Sequence, residues 1–188
     1  MSYFKVVEYV AAIDGEKLDN FISFGTGLFP CNWGTRGYSH VELWFPDKDG
    51  KFYDENGNIV GVCFSSTTRG NSTGVRFEPA NIVLRHPERW EEVTMQVPGH
   101  VMDRVLARLF KEVGKEYDFD GLQKFIFFWK KDDPNKWYCS EIIAWALYLF
   151  GRFEKRYAPI SPRRVSKIIE KKLNMTYKFK PLKYKKVA

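Results

Sequence analysis

Cys139 lies in Trp137-Tyr138-Cys139-Ser140-Glu141, directly ahead of an apolar stretch from Ile142 to Phe150. A helix opening at this cysteine would bring the sulfur close to backbone N–H groups without intrahelical acceptors and to the positive end of the helix dipole. Both favour thiolate over thiol. Upstream, His40 sits in Tyr38-Ser39-His40-Val41-Glu42-Leu43, where period-two alternation sets Val41, Leu43 and Phe45 on one face and His40, Glu42 and Trp44 on the other. A sulfur ready to ionise, an imidazole to take its proton and the Cys139 backbone N–H to receive an oxyanion are the parts of nucleophilic acyl transfer.

Plainer readings exist for each residue. A free cysteine is commonly a small buried hydrophobe, and His40 taken alone reads better as a half-buried strand histidine bonded to backbone than as a base. The polar, helix-starting surroundings of Cys139 favour the enzyme. Asp118 and Asp120 flank Phe119 and could form a carboxylate pair for acid–base or metal work, but Asp120-Gly121 reads as a turn and Asp118 as a helix cap. Cys31 and Cys63 have no base nearby in sequence and read as packing residues. His86 and His100 neighbour prolines and should be exposed. The run Ser65-Ser66-Thr67-Thr68-Arg69-Gly70 lacks the lysine pattern of a phosphate loop and reads as a loop at the mouth of a cleft. No two cysteines are spaced as a zinc knuckle, so no metal or other cofactor is expected.

The elements that must position these groups are legible in outline. Residues 1–10 read as a first strand, and Tyr38 to Phe45 as a second after a glycine-punctuated loop. Asp47-Lys48-Asp49-Gly50 makes a turn, Lys51 to Tyr53 a short strand, and Glu55-Asn56-Gly57-Asn58 a hairpin turn. Ile59 to Ser66 reads as the return strand and Thr67 to Gly74 as a loop. Val75 to Glu78, Ile82 to Leu84 and Trp90 to Val97 read as further strands. Helical spacing follows Pro98-Gly99: Val101, Val105, Leu109 and Val113 recur every four residues, with Leu106 and Phe110 widening the stripe and Gly114 as the stop. Gly121 to Trp129 has helical character. Asp132-Asp133-Pro134-Asn135 is a break, Tyr138 to Phe150 a strong helix closed by Gly151, and Ser161-Pro162 opens a last helix ending near Leu173. The sum is one α+β domain over residues 1–188.

Composition sets the outer bounds. A hydrophobic content of 44% and an aromatic content of 17% fit a folded domain with a bulky core, not a disordered chain. The longest strictly apolar run, Ile142 to Phe150, is 9 residues, against the roughly 20 a membrane-spanning helix needs, so no transmembrane segment is expected. The first residues lack the basic-then-apolar order of a secretion signal. With three cysteines, an odd number, reduced thiols in the cytoplasm are expected. Much of the net charge of +7 falls in a basic C-terminal segment, about residues 161–188. That segment could hold an anionic partner, or it is a solvated helix face with a frayed end.

In order along the chain, Tyr38-Ser39-His40-Val41-Glu42-Leu43, Gly114-Lys115-Glu116-Tyr117-Asp118 and Tyr138-Cys139-Ser140-Glu141 resemble the motifs of circularly permuted papain-like cysteine hydrolases. These belong to the NlpC-type superfamily, which includes lecithin:retinol acyltransferase-like proteins. The resemblance covers about residues 38–150 and implies a permuted papain-like fold, with an antiparallel sheet packed against helices and the nucleophile at a helix N-terminus. It implies Cys139 as nucleophile, His40 as base, and Tyr117, from the Gly-x-x-Tyr element, beside the cysteine. Tyr138 is a further site-lining candidate. The third, histidine-orienting residue usually lies on the strand after the histidine strand, and there the chain departs, with Val62-Cys63-Phe64-Ser65-Ser66. Ser65 and Ser66 are candidates for that role, and Glu42, on the same strand face as His40, is a substitute. The implied activity is cleavage of a peptide amide, or of a lipid amide or ester, through an acyl-enzyme, with no obligatory nucleic acid. The alternative is a papain-like binding module without chemistry, using its basic segment to hold nucleic acid, membrane or a protein.

Overall fold

A computed structural model describes residues 1–10, 38–68, 73–123, 133, 135–154, 160–172 and 179–182. Cys31 and most of 124–132 and 173–188, with their sequence-based expectations, lie outside the described residues. The chain is α+β. Strands β1 (Ser2–Val10), β2 (Tyr38–Phe45), β3 (Val62–Thr67), β4 (Gly74–Pro79), β5 (Trp90–Val97) and β6 (Lys180–Pro181) form one sheet in the order β4-β3-β2-β1-β5-β6, with every pairing antiparallel. The helices are α1 (Ala80–Val83), α2 (Gly99–Phe110), α3 (Phe119–Gln123), α4 (Cys139–Leu149) and α5 (Pro162–Lys172).

Alternation in the central strands decides which layer each side chain enters. Phe4 and Val6 of β1, Val41, Leu43 and Phe45 of β2, and Val93, Met95 and Val97 of β5 join Met102, Val105 and Leu109 of α2 and the apolar body of α4 in the main core. The opposite face buries Val7, Trp44, Cys63 and Trp90 under Ala80, Leu84 and Leu182. There Lys5 runs beneath the hairpin, its Nζ 4.6 Å from the ring centroids of Trp44 and Phe52 and 2.8 Å from Glu92 Oε2. Such a cation survives burial because a carboxylate and aromatic faces replace its water.

Four expectations need correction. Ile59 touches Tyr53 only in an isolated bridge, and the return strand starts at Val62. Between them Gly61 has φ +88°, and a Cβ there would sit 2.2 Å from the Phe45 carbonyl oxygen, so the chain turns at the one residue able to do so. The segment Ile82 to Leu84 is not a strand: Pro79 precedes a short helix in which Leu84 N donates to Ala80 O at 2.8 Å. Ala80 and Leu84 are buried while Ile82 is exposed, a spacing of four and not two. Asp120 and Gly121 lie inside α3, not in a turn, although Asp118 caps that helix as expected, accepting from Gly121 N at 2.7 Å. Helix α2 ends at Phe110, before Val113. Phe110 faces outward and stacks on Phe77, with centroids 4.5 Å apart.

Candidate functional site

The site begins where β2 and β3 separate. Their ladder register runs from Phe45↔Val62 to Leu43↔Phe64. Ser65 Oγ donates to Val41 O at 2.8 Å. On its other side β2 carries a bulge: Tyr9 opposes His40 but Val10 opposes Tyr38, so Ser39 is the extra residue. A bulge re-aims the side chains beside it, here those of Tyr38 and His40.

His40 is buried, and its Nε2 lies 2.7 Å from Glu42 Oε1. Glu42 has no exposed surface and takes a second partner, Arg76 of β4, whose Nη2 donates to Oε1 at 2.7 Å and Nη1 to Oε2 at 3.0 Å. Arg76 reaches β2 over β3, and Ser65 O accepts from Nη1 at 3.4 Å. Its Nε donates to Glu78 at 3.2 Å. Burial would raise the Glu42 carboxyl, but the Arg76 guanidinium and the His40 hydrogen bond outweigh it and hold the pKa at about 2. Glu42 is therefore ionised at any physiological pH. An anion at Nε2 fixes the proton on that nitrogen in the neutral ring and makes Nδ1 the basic one.

Cys139 is the first residue of α4, following Tyr138 in extended conformation, and no side chain caps the helix end. Two tethers hold the approach to it. Trp137 O accepts from Ser66 Oγ at 2.6 Å and from Asp118 N at 3.1 Å, while Trp137 N donates to Glu116 O at 3.1 Å. The Gly-x-x-Tyr element is thus strapped along the segment entering the helix, with Tyr117 bridged to Trp137. Its other flank is fixed to β4, where Gly114 N donates to Val75 O and Val75 N to Lys115 O, both at 2.9 Å. A Cβ on Gly74 (φ +88°) would lie 2.2 Å from Lys115 O, so this approach requires glycine.

Some candidates meet and others do not. Glu42 and His40 are in direct contact, and Glu42 is a fully buried ion-pair partner of Arg76. The hydroxyls of Ser65 and Ser66 donate to backbone carbonyls, and both residues belong to β3, not to a loop at a cleft mouth. Tyr138 is fully buried, and its Oη accepts from Ile160 N at 2.9 Å, anchoring the chain ahead of α5. Cys139 is 1% exposed and packs in the main core with Val41 and Leu43. His40 and Glu42 point to the other side of β2, where the His40 ring meets Trp90 edge-on at 6.3 Å. The thiol segment and the imidazole therefore come to the same end of β2 and β3 from the two sides of the sheet. Cys63 is buried too, but burial pushes its thiol up, away from thiolate. His86 is exposed beside Glu88, and His100 is exposed in the first turn of α2.

Sequence reading missed Arg76. Its one local signal is the alternation of Val75-Arg76-Phe77-Glu78, which sets two opposite charges on one face, and only the strand order carries it to Glu42. Among the described residues no group of three His, Cys, Asp or Glu side chains could hold a metal ion, and no helix is long and apolar enough to cross a membrane. Set against protein-family models, curated proteins and solved structures, the chain matches none of them.

Proposed function

We propose that the chain is a permuted papain-like cysteine hydrolase or acyltransferase acting on a peptide amide or on a lipid amide or ester. The observation carrying this reading is the buried 2.7 Å contact between His40 Nε2 and the ionised Glu42, on a strand whose end adjoins the segment that delivers Cys139 to a helix N-terminus. In this mechanism Nδ1 of His40 takes the Cys139 proton and the thiolate attacks the substrate carbonyl. The oxyanion is met by N–H groups of the first turn of α4. The imidazolium returns its proton to the leaving amine or alkoxide, giving an acyl-enzyme. Water or another acceptor then attacks, with Nδ1 as base, and the thiol is restored. Glu42 supplies the orienting anion that a serine would supply less well. The mechanism requires Sγ and Nδ1 to meet where β2 and β3 part.

The competing reading, a papain-like module without chemistry that uses its basic C-terminal segment to hold an anionic partner, draws on the near-complete burial of Cys139 in the apolar core. Iodoacetamide labelling of the native protein, mapped by mass spectrometry, separates the two. Selective labelling of Cys139 at mildly acidic pH, slowed by two to four orders of magnitude in His40→Ala, is expected of the enzyme. Slow, equal labelling of all cysteines, unchanged in His40→Ala, defeats it.

A further inference from the structure

Arg76 spans from β4 to β2 with more precise geometry than a surface cation has reason to adopt. Its two terminal nitrogens grip both oxygens of Glu42 in a fork, at 2.7 and 3.0 Å. The oxygen taken by Nη2 is Oε1, the same one that receives His40 Nε2 at 2.7 Å. A carboxylate oxygen has two lone pairs and accepts both donors, and the guanidinium is always charged.

We propose that Arg76 is a positioning residue for His40: it clamps the Glu42 rotamer that receives Nε2–H, which leaves Nδ1 as the basic nitrogen, and its charge at the shared oxygen offsets that of Glu42. The clamp has two further supports, Ser65 O on Nη1 and Glu78 on Nε. The groups facing this assembly are Glu42 and Trp44 from β2, Cys63 and Ser65 from β3, Glu78 from β4, Tyr9 from β1 and Trp90 from β5. Arg89, bonded to Tyr9 Oη at 2.9 Å, is a second cation on that side. Glu42 is the carboxylate in contact with His40 Nε2. Its negative charge, left alone, would favour the imidazolium, and Arg76 offsets it. As a base for Cys139 this inference rests on the function proposed above. As an arrangement of His40 it does not.

The test is the nitrogen chemical shifts of His40 in ¹⁵N-histidine-labelled full-length protein, followed against pH and repeated in the Cys139→Ala background. In the Cys139→Ala background, where no thiolate can favour the imidazolium, the Nε2–H tautomer is expected at pH 7. Arg76→Gln is expected to raise the protonation midpoint by about 1 to 2 units, since a neighbouring like charge is removed. Arg76→Lys, which keeps the charge but loses the fork, is expected to hold the midpoint within about half a unit of wild type. A midpoint in Arg76→Gln equal to wild type overturns the proposal. So does a His40 held in the Nδ1–H form in the Cys139→Ala background, which decides the matter even where Arg76→Gln does not fold. If these shifts behave as expected while Cys139 labelling ignores His40, the hydrolase reading fails and the role of Arg76 stands.

Discussion

Glu42 and Glu8 lie on adjacent strands, each with no exposed surface, yet their carboxyls move in opposite directions. Glu42 points to the outer face and meets a guanidinium fork and an imidazole. Glu8 points to the helix-covered face, where among the described residues neither of its oxygens has a hydrogen-bond partner of normal geometry and Ser166, packed nearby, donates to the Arg163 carbonyl at 2.9 Å. Burial pushes Glu8 well up, and Ser166 and Arg163 offset that only in part. Depth is the same for both; partners decide which is an anion. A buried carboxylate is a useful orienting group only where the fold also delivers a cation to it.

The comparison can be broken most directly at Arg76. Arg76→Ala leaves Glu42 buried beside His40 alone and is expected to cost about 3–5 kcal/mol, read from the urea midpoint at pH 7. A loss below about 1 kcal/mol would mean that water already serves Glu42 and that the contrast with Glu8 is empty. Next comes the acid limb. Because the folded pKa of Glu42 is depressed from 4.5 to about 2, its stabilising contribution is present above the unfolded value and fades as pH falls through that window. The total is on the order of 3 kcal/mol, and Glu42→Gln should flatten that part of a stability-against-pH curve.

Glu8 carries the opposite sign. Its raised folded pKa means that the folded state holds a proton which the unfolded state releases above the ordinary carboxylate range, so stability falls as pH rises there. The slope approaches about 1.4 kcal/mol per pH unit between the two pKa values. Glu8→Met should remove it, leaving the variant more stable than wild type at pH 8 in thermal unfolding and the curves converging toward pH 4. The smallest effect belongs to Ser66→Ala, which gives up the hydrogen bond to Trp137 O for about 1 kcal/mol. If Glu42 and not a serine orients His40, the pH profile of Cys139 labelling should stay in place in this variant.

The strands that build the site were legible because their signals are local. Tyr38 to Phe45 alternates cleanly and is a strand of those bounds, as is Trp90 to Val97. The helix beginning at Cys139 announced itself through a long apolar run closed by Gly151, which adopts φ +70°. The failures share a cause as well. Ile82 looked like strand because a β-branched residue in a short apolar run carries no period, and burial of Ala80 and Leu84 against the opposite sheet face made it helix. Gly61 read as part of a strand because its constraint, the nearby Phe45 carbonyl, comes from another strand.

For the site, sequence alone determined residue chemistry and face: a cysteine opening a helix, and a histidine and a glutamate two apart on one side of a strand. Period two guarantees that last pairing whatever the rest of the chain does. Tertiary structure decided that Glu42, not Ser65 or Ser66, contacts the imidazole, and that β4 sends Arg76 across β3 to hold it. It also decided that Cys139 approaches from the other side of the sheet. Strand order and the parting of β2 from β3 are long-range properties, set by how two layers share out the apolar side chains, and no stretch of the chain encodes them by itself.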